Sequence, residues 1–363
     1  MRFAFSIALF TALHTQVFAV DTAGIDSSVD RAIRFLKVRG QSDDGSFSPQ
    51  TGTAVTGLCV RAILEHRPDA VDDPALKKAL EVIEANIQGD GGIYKTGSRY
   101  RNYETSVSVL ALSAANRDGK YDSALKRAEA FLKQIQWDEE EGATPKDTAY
   151  GGAGYGSHSR PDLSNTSFFI EALRELGNDE NDAAIQKALV FVSRTQNLQG
   201  HGNDTEHAEN IGDGGFYYTP AAGGQSKAGE TTNGGLRSYA SMTYAGLRSM
   251  IYAGLTADDP RVQAAMSFIQ ENYDLDSNPG MGQAGLYYYY HTFAKALNAS
   301  GVEVLDDSEG NPHRWREDIT NELLSRQLED GSWVNDGHSR WMEGDRNLVT
   351  AYALLAFAQV KTE

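Results

Sequence analysis

Six glycine-rich turns recur along this chain, and they constrain its fold more than any other feature. Each turn leads into an aromatic residue: Asp44-Gly45-Ser46-Phe47, Gly91-Gly92-Ile93-Tyr94, Gly151-Gly152-Ala153-Gly154-Tyr155, Gly214-Gly215-Phe216-Tyr217, Gly285-Leu286-Tyr287 and Asp330-Gly331-Ser332-Trp333. A repeat of this kind indicates a structural unit that is copied along the chain and stacks on its neighbours.

An amphipathic helical segment precedes each turn. Before the third turn, Leu125, Ala128 and Leu132 share one helical face, and charged residues occupy the opposite face. Apolar residues recur with the same spacing from Ile185 to Val192 before the fourth turn. This pattern is typical of a helix with one buried stripe. Comparable segments begin near Val29, Ala75, Arg261 and Trp315.

A second kind of helical segment follows each turn and is apolar almost all round. The last one, at 349–360, places Ala, Leu, Tyr and Phe on every face, which indicates a helix that is buried on all sides. Similar segments lie at 53–64, 105–115, 166–173, 239–255 and 288–297. Each repeat therefore pairs a half-exposed helix with a buried one.

The ends of the repeat array predict how the pairs are arranged. An open solenoid needs polar capping repeats, and neither the first nor the last repeat is more polar than the middle ones. The sequence therefore predicts an all-α protein, an α6/α6 toroid of six inner and six outer helices, as a single domain over 20–363. An open curved solenoid is the alternative. The polar insertion at 197–232 is expected to be a loop at the mouth of the ring.

Residues 1–19 have the pattern of a signal peptide. Arg2 is followed by an apolar stretch at 3–13 and by Val17-Phe18-Ala19, a small-residue cleavage pattern. The stretch is shorter than the ~20 residues that a membrane span requires, and no later segment reaches that length. We expect an exported protein, periplasmic or extracellular, without a membrane span.

Charge and cysteine content exclude several classes of partner. The chain carries 33 Lys plus Arg against 50 Asp plus Glu, a formal net charge of −17. Nucleic-acid binding requires clustered cations, so no nucleic-acid partner is expected. A single cysteine, Cys59, leaves no internal disulfide.

The repeats resemble those of the squalene and oxidosqualene cyclases and of the protein prenyltransferase β subunits. The resemblance rests on an apolar pair, a Gln one turn later and a Gly-x-aromatic turn, as in Phe131-Leu132…Gln136, Phe191-Val192…Gln196 and Leu323-Leu324-Ser325-Arg326-Gln327…Asp330-Gly331-Ser332-Trp333. It covers essentially the whole chain after residue 19. It implies the α/α toroid fold and, as activity, chemistry on an isoprenoid or another apolar lipid in a central cavity.

The catalytic motifs of these families are absent. Triterpene cyclases use an Asp-x-Asp-Asp motif, but the Asp pairs at 43–44, 72–73, 258–259 and 306–307 lack its first aspartate. Prenyltransferase β subunits bind zinc through Asp-x-Cys, whereas Gly57 stands two residues before Cys59. The resemblance therefore leaves open whether the chain is an enzyme.

Polar side chains recur where the buried helices begin. Asp162 and Glu104 are the candidate general acids, since burial in a cavity raises the pKa of a carboxyl group. His158, Arg160, Arg340 and Asp345 are the candidate ligand-binding residues, with the arginines positioned for an anionic head group. The alternative is structural, because Asp is also a common helix N-cap residue.

The run Tyr287-Tyr288-Tyr289-Tyr290-His291 begins the fifth buried helix. Aromatic faces stabilise a carbocation in a dry pocket, which makes Tyr290 and His291 candidate ligand-binding residues. The alternative is core packing. His201 and His207 lie among acidic residues, but their spacing matches no standard zinc pattern. We expect no metal and no cofactor.

Three functions follow as hypotheses. The first is an enzyme resembling terpene cyclases and prenyltransferases that acts on an isoprenoid. The second is a secreted toroid that binds a ligand or a protein without chemistry. The third is a carbohydrate-active toroid with paired carboxylates. The sequence names no protein partner.

Overall fold

A computed structural model describes residues 21–156 and 160–361. The predicted signal peptide and His158 lie outside these residues. Within them, the chain forms twelve α-helices and a single two-stranded antiparallel sheet. The sheet joins β1 (Leu305–Asp306) to β2 (Pro312–His313), with Leu305 opposite His313. The protein is therefore all-helical, as predicted.

Helices alternate along the chain between an outer and an inner ring. The outer helices are α1 (Thr22–Phe35), α3 (Pro74–Glu84), α5 (Asp122–Gln134), α7 (Ala183–Arg194), α9 (Pro260–Glu271) and α11 (Trp315–Arg326). The inner helices are α2 (Ala54–His66), α4 (Arg101–Ala114), α6 (Leu163–Glu175), α8 (Ala240–Tyr252), α10 (Leu286–Ser300) and α12 (Arg346–Val360). Helix α1 begins before the predicted Val29, because Asp21 caps it by accepting a hydrogen bond from the Gly24 N–H.

The inner helices form a closed ring. Each inner helix packs against the inner helix before it and the one after it, and α12 packs against both α10 and α2. This closure confirms the α6/α6 toroid and shows that the open solenoid was wrong. Most residues of the inner helices are buried, which explains why these helices are largely apolar. None of the helices in the described ranges has the length and hydrophobicity needed to cross a bilayer.

The turn glycines explain part of the repeat. Gly331 has φ +89°, and a Cβ at this position would lie 2.5 Å from the backbone oxygen of Arg31 in α1. The last turn therefore packs directly on the backbone of the first helix and closes the outer ring. The same approach to the next outer helix occurs at Gly45, Gly91, Gly151 and Gly214.

The recurrence of the glutamines also has a direct structural cause. The Gln327 amide donates one hydrogen bond to the Gly331 carbonyl in its own turn and another to the Ser28 carbonyl in α1. Each glutamine in this position thus joins one repeat to the next, and Gln327 joins the sixth repeat to the first. Gln41, Gln136 and Gln196 make the equivalent pair of bonds.

A threonine on the inner helix holds the turn from the other side. The Thr166 hydroxyl accepts a hydrogen bond from the backbone N–H of Ala153, at 3.0 Å. The same bond forms at Thr56, Thr105, Thr243 and Thr350. The fifth repeat departs from this plan, because Gly285 is itself the N-cap residue of α10. The Asn278 side chain instead joins the loop before α10 to α8 by accepting a hydrogen bond from the Ser241 N–H.

Replacing Gly331 by alanine is expected to destabilise the ring by about 3 kcal/mol. The left-handed backbone costs about 1–2 kcal/mol with a Cβ, and the clash with the Arg31 carbonyl adds about 1–3 kcal/mol. Gly310→Ala is the matched control, because Gly310 has φ +82° but open space around its Cβ position. Chemical denaturation should show a loss of only about 1 kcal/mol for Gly310→Ala. Equal losses in the two variants would contradict the packing account.

Candidate functional site

A cavity of about 410 Å³ lies at the end of the toroid where the inner helices begin. All six inner helices contribute side chains from their first two turns: Ala54, Val55, Tyr103, Ser164, Asn165, Phe168, Ser241, Met242, Tyr288, Leu348 and Tyr352. The ring architecture thus gathers residues that are far apart in sequence around one space. Its volume is in the range of small-molecule sites.

Aromatic rings form much of the wall. Tyr103 packs edge-to-face against Phe168 with ring centroids 5.1 Å apart, and Tyr288 packs against Tyr352 at 5.8 Å. The Tyr288 hydroxyl is hydrogen-bonded to Ser164 at 2.9 Å. The aromatic and aliphatic side chains of the wall favour a guest with an apolar part.

Apolar side chains are also exposed around the mouth. Tyr100, Tyr155, Trp341 and Met342 line the cavity and are each more than a third exposed to solvent. Tyr100 packs edge-to-face against Tyr155 at 5.2 Å. Large exposed apolar side chains grouped around one opening are typical of a ligand-binding rim.

Glu343 is the carboxyl group in the cavity wall. It is buried, and its oxygens accept hydrogen bonds from the Tyr288 N–H at 2.8 Å and from the Asn335 amide at 2.6 Å. Burial raises the pKa of Glu343 to about 7, although these hydrogen bonds oppose the shift. The backbone N–H groups of Leu286 and Tyr287 also act on this carboxyl group, so Glu343 faces the N-terminus of α10. It can therefore hold a proton near neutral pH and give it up.

Asp162 lies behind the wall. It caps α6 by accepting from the Asn165 N–H, and its other oxygen accepts from the Asn165 amide. The Tyr218 hydroxyl, on a residue that does line the cavity, is hydrogen-bonded to the same carboxyl group. Burial raises the pKa of Asp162 to about 6. Asp162 thus combines the N-cap role with the raised pKa expected of a general acid. Its connection to the cavity is the hydrogen bond with the Tyr218 hydroxyl.

Glu104 occupies a different environment. It is buried outside the cavity wall, where one carboxylate oxygen accepts from the Thr53 N–H at 3.0 Å and from the Lys95 N–H at 2.9 Å. Its other oxygen accepts from the Ser98 hydroxyl. The side chain ties α4 to the start of α2. The acid role of Glu104 stays a prediction, and this placement favours a structural role.

Arg160 and Lys227 stand side by side at the mouth. The Gln225 side-chain oxygen accepts from Arg160 Nη2 at 2.9 Å and from Lys227 Nζ at 2.7 Å. Both cations also lie over the Tyr218 ring, Lys227 at 4.4 Å from its centroid. The insertion predicted to lie at the mouth therefore supplies Tyr218, Gln225 and Lys227 to this region.

Arg340 and Asp345 lie at the rim rather than in the wall. The exposed Arg340 guanidinium lies over the Trp341 ring, 4.3 Å from its centroid. Asp345 caps α12 by accepting from the Asn347 and Leu348 N–H groups, and it also accepts from the Gln50 amide. Asp345 therefore has the helix-cap role that was weighed as its alternative, while Arg340 is free to face a ligand.

Tyr290 and His291 do not line the cavity. The Tyr290 hydroxyl donates to the Leu275 carbonyl at 2.6 Å and lies 3.1 Å from a Glu322 carboxylate oxygen in α11. Tyr288, two residues earlier, is the tyrosine of this run that contributes to the wall. Consecutive helical residues diverge by about 100°, so the run divides between the cavity and the outer ring.

A charged cluster lies beneath the cavity floor. Glu171 of α6 is paired with Arg248 of α8 and with Lys295 of α10, and all three side chains are buried. His291 lies beside this cluster, its ring between those of Phe168 and Tyr352, and neither ring nitrogen has a hydrogen-bond partner in the part of the chain that the structure describes. Burial and the adjacent Lys295 hold the pKa of His291 well below its usual range, so it is neutral.

Sequence reasoning placed Asp162, Arg160 and Arg340 at this end of the ring but did not select Glu343, Lys227 or Tyr218. Glu343 lies in the polar stretch before the last inner helix, but Asp345 rather than Glu343 holds the N-cap position that Asp162 holds before α6, so the repeat alone did not identify it. Over residues 21–156 and 160–361, no group of three or more His, Cys, Asp or Glu side chains is arranged to hold a metal ion.

No family model and no curated protein matches this sequence. Solved structures do match. One is the type II terpene cyclase MstE from Scytonema, with 12% identity, coverage of 93% of this chain and 97% of that chain, and a TM-score of 0.56. Another is a family 76 glycoside hydrolase from a bovine Bacteroides thetaiotaomicron strain, with 12% identity, coverage of 93% and 78%, and a TM-score of 0.59.

A third similar structure is a possible member of the GH105 family from Salmonella enterica serovar Paratyphi A. It shares 11% identity, the coverage is 97% of this chain and 98% of that chain, and the TM-score is 0.56. At these identities the likeness shows the fold alone. The chain is an α/α toroid, and its structural neighbours include both a terpene cyclase and glycoside hydrolases.

Proposed function

We propose that this protein is an acid catalyst that acts on an isoprenoid or another apolar chain held in the toroid cavity. The observation that carries the proposal is Glu343: a buried carboxyl group in an aromatic wall, with a pKa raised to about 7. A general acid works best when its pKa lies near the operating pH. The similar structure of MstE is described with geranylgeranyl dihydroxybenzoate as substrate, which supports an isoprenoid guest.

The chemistry proposed for Glu343 is proton transfer to a carbon–carbon double bond. The π electrons form the new C–H bond, the O–H electron pair stays on the carboxylate, and a carbocation remains on the adjacent carbon. A second double bond of the same chain closes a ring on that carbon, and loss of a proton ends the reaction. Tyr288, Phe168 and Tyr352 present aromatic rings to such a cation.

The groups around Glu343 suit it to this transfer. The Tyr288 N–H and the Asn335 amide stabilise the carboxylate that remains after the proton has left. Water exclusion by the wall favours the neutral acid before the transfer. Asp162 offers a second route through the Tyr218 hydroxyl. The variants Asp162→Asn and Glu343→Gln distinguish the two acids.

Mass spectrometry of bound apolar molecules tests the proposal. The protein is purified and extracted with organic solvent before and after incubation with a bacterial lipid extract. A bound polyprenyl species that is converted to an isomer with fewer double bonds, detected by retention time and hydrogenation, supports the proposal. A bound species that never changes would instead indicate a carrier without chemistry.

A carbohydrate-active toroid is the second candidate. Two carboxyl groups with raised pKa lie at or next to one opening, and exposed aromatic rings surround that opening. Glycosidases use such a pair as acid and nucleophile or base. The glycoside hydrolase neighbours are consistent with this candidate. Release of reducing sugar from a polysaccharide panel, abolished by Asp162→Asn and by Glu343→Gln, would favour it over the isoprenoid proposal.

We further propose that the protein is exported after cleavage of residues 1–19. The support is the apolar stretch at 3–13 followed by Val17-Phe18-Ala19. Mass spectrometry of the protein expressed from its full sequence in a bacterium should find a mature N-terminus near Val20 in the periplasm or the medium. An intact N-terminus in the cytoplasm would contradict export.

A further inference from the structure

Two cations at the mouth of the cavity are held by an amide oxygen rather than by a carboxylate. Arg160 and Lys227 share a single neutral acceptor, the Gln225 side-chain oxygen, at 2.9 Å and 2.7 Å. Two cations held this close repel each other, and an amide oxygen offsets that repulsion far less than a carboxylate would. None of the ion pairs within residues 21–156 and 160–361 involves Arg160, Lys227 or Arg340, and the acidic group that acts on Arg160 and Lys227 is the buried Asp162.

We propose that Arg160, Lys227 and Arg340 form a binding site for an anionic head group, so that the ligand is an anionic amphiphile. Its carboxylate or phosphate would lie between the cations at the mouth, and its apolar chain would fill the cavity. The part of this inference that concerns the ligand's apolar chain rests on the proposed function. The part that concerns the ligand's head group rests on the charges and contacts at the mouth of the cavity.

The position of Lys227 places the proposed head-group site next to the cavity that would hold the apolar chain. Lys227 and Tyr218 both line the cavity, and the ammonium group lies 4.4 Å from the centre of the Tyr218 ring. A head group at Lys227 is therefore continuous with the aromatic wall. Exposed Tyr100, Tyr155 and Trp341 extend the apolar surface outward around the same opening.

The surrounding charges show that a cation pair here is costly without a ligand. Burial, Arg160 and Arg340 lower the pKa of Lys227, and Asp162 is the acidic group that opposes this shift. Asp162 is buried behind Tyr218, and burial raises its own pKa to about 6. In a chain of net charge −17, cations grouped at one opening are a local feature that can attract an anionic group.

Both carboxylates and phosphates fit this chemistry. Arginine binds either anion through two parallel N–H groups, and lysine acts as a point charge. Three farnesyl compounds with the same apolar chain separate the contributions: farnesol is neutral, farnesoic acid carries a carboxylate and farnesyl monophosphate carries a phosphate. Isothermal titration calorimetry at pH 7.5 then compares the head groups alone.

We expect at least one of the two anionic compounds to bind about tenfold more tightly than farnesol, because charge-assisted hydrogen bonds are added. The preference should decrease in high salt. Whichever anion shows the preference is the head-group class. Equal affinity of all three compounds would overturn the proposal.

Two substitutions sharpen the test. Gln225→Glu places a carboxylate between the cations without removing either of them, and it should abolish the preference for anions. Lys227→Met should reduce the preference for the anionic compounds over farnesol about fivefold or more. Lys126→Met, on the exposed face of α5, is the matched control and should change nothing. Retention of the full preference by Gln225→Glu would overturn the proposal.

The binding experiment separates this inference from the proposed function. If the anionic compounds bind preferentially but no compound is ever converted, the head-group site stands and the acid chemistry fails. If an isoprenoid is converted but binding ignores the head-group charge, the acid chemistry stands and the anion site fails. If no farnesyl compound binds, the proposal of an isoprenoid substrate fails, and so does the inference that the cavity holds the ligand's apolar chain.

Discussion

Replacing Glu171 by glutamine is expected to lower the free energy of unfolding by about 4 kcal/mol. Glu171 is the carboxylate that neutralises Arg248 and Lys295 beneath the cavity floor. All three side chains are buried, so removing the negative charge leaves two cations in a medium that cannot solvate them. Breaking a buried ion pair from one side costs about 3–5 kcal/mol for this reason.

The direction of the Glu171 pKa agrees with this account. Burial alone would raise the pKa of Glu171, but Arg248 and Lys295 outweigh burial and hold it far below its usual range. A carboxyl group whose pKa is depressed in the folded protein stabilises the fold above its unfolded pKa, and this contribution is lost on acidification. The stability difference between wild type and Glu171→Gln should therefore shrink as the pH falls below about 4.5.

Two comparisons make the Glu171 result interpretable in urea denaturation. Glu175→Gln removes a half-exposed partner of Arg61 and should cost at most about 1 kcal/mol. The triple variant Glu171→Leu, Arg248→Met and Lys295→Met removes all the buried charge and should recover much of the loss. A loss of under about 1 kcal/mol for Glu171→Gln would show that water reaches the cluster.

Replacing Glu343 by glutamine is expected to reduce turnover by about 100-fold or more, because a general acid contributes about 10²–10⁴ to the rate. Glutamine has nearly the same shape and can still accept from the Tyr288 N–H, so the start of α10 should remain intact. Circular dichroism and thermal unfolding check that intactness. Glu309→Gln, in the exposed turn after β1, is the matched control and should retain full turnover.

The pH dependence of turnover identifies the acid. The rate requires the protonated carboxyl group, so it should fall by about tenfold per pH unit above the pKa of that group. For Glu343 the fall should begin near pH 7, and for Asp162 near pH 6. Asp162 would be the acid instead if two results were found together. Glu343→Gln would retain full turnover with a decrease in rate that begins near pH 6, and Asp162→Asn would abolish that decrease.

The ring of helices could be predicted because the residues that form it recur at regular positions in the sequence. Gln136 and Gln327 stand at the same place in their repeats, and each is followed by a turn glycine. Such a repeat indicates units that stack on one another. A helix that is apolar on one side is buried on one side, and a helix that is apolar on all sides is buried on all sides. The start of α1 was placed too late because residues before Val29 carry a weaker stripe, although Asp21 caps the helix.

The site was harder to predict because it depends on contacts between repeats. Glu343 precedes α12 in sequence, but its carboxylate meets the start of α10 through the Tyr288 N–H. Tyr288 and Tyr290 belong to one unbroken run, so the sequence alone did not set which of them faces the cavity. Lys227 lies in a long insertion without periodicity, and only the folded chain brings it beside Arg160.

The most direct test of the central claim is a crystal structure of the Glu343→Gln variant after incubation with a bacterial lipid extract. Without its acid, the variant should retain an unreacted substrate. We expect electron density for an apolar chain in the cavity between Phe168, Tyr288 and Tyr352, with its head group toward Lys227. A sugar chain at the mouth, or a lipid bound only on the outer surface of the ring, would contradict the account.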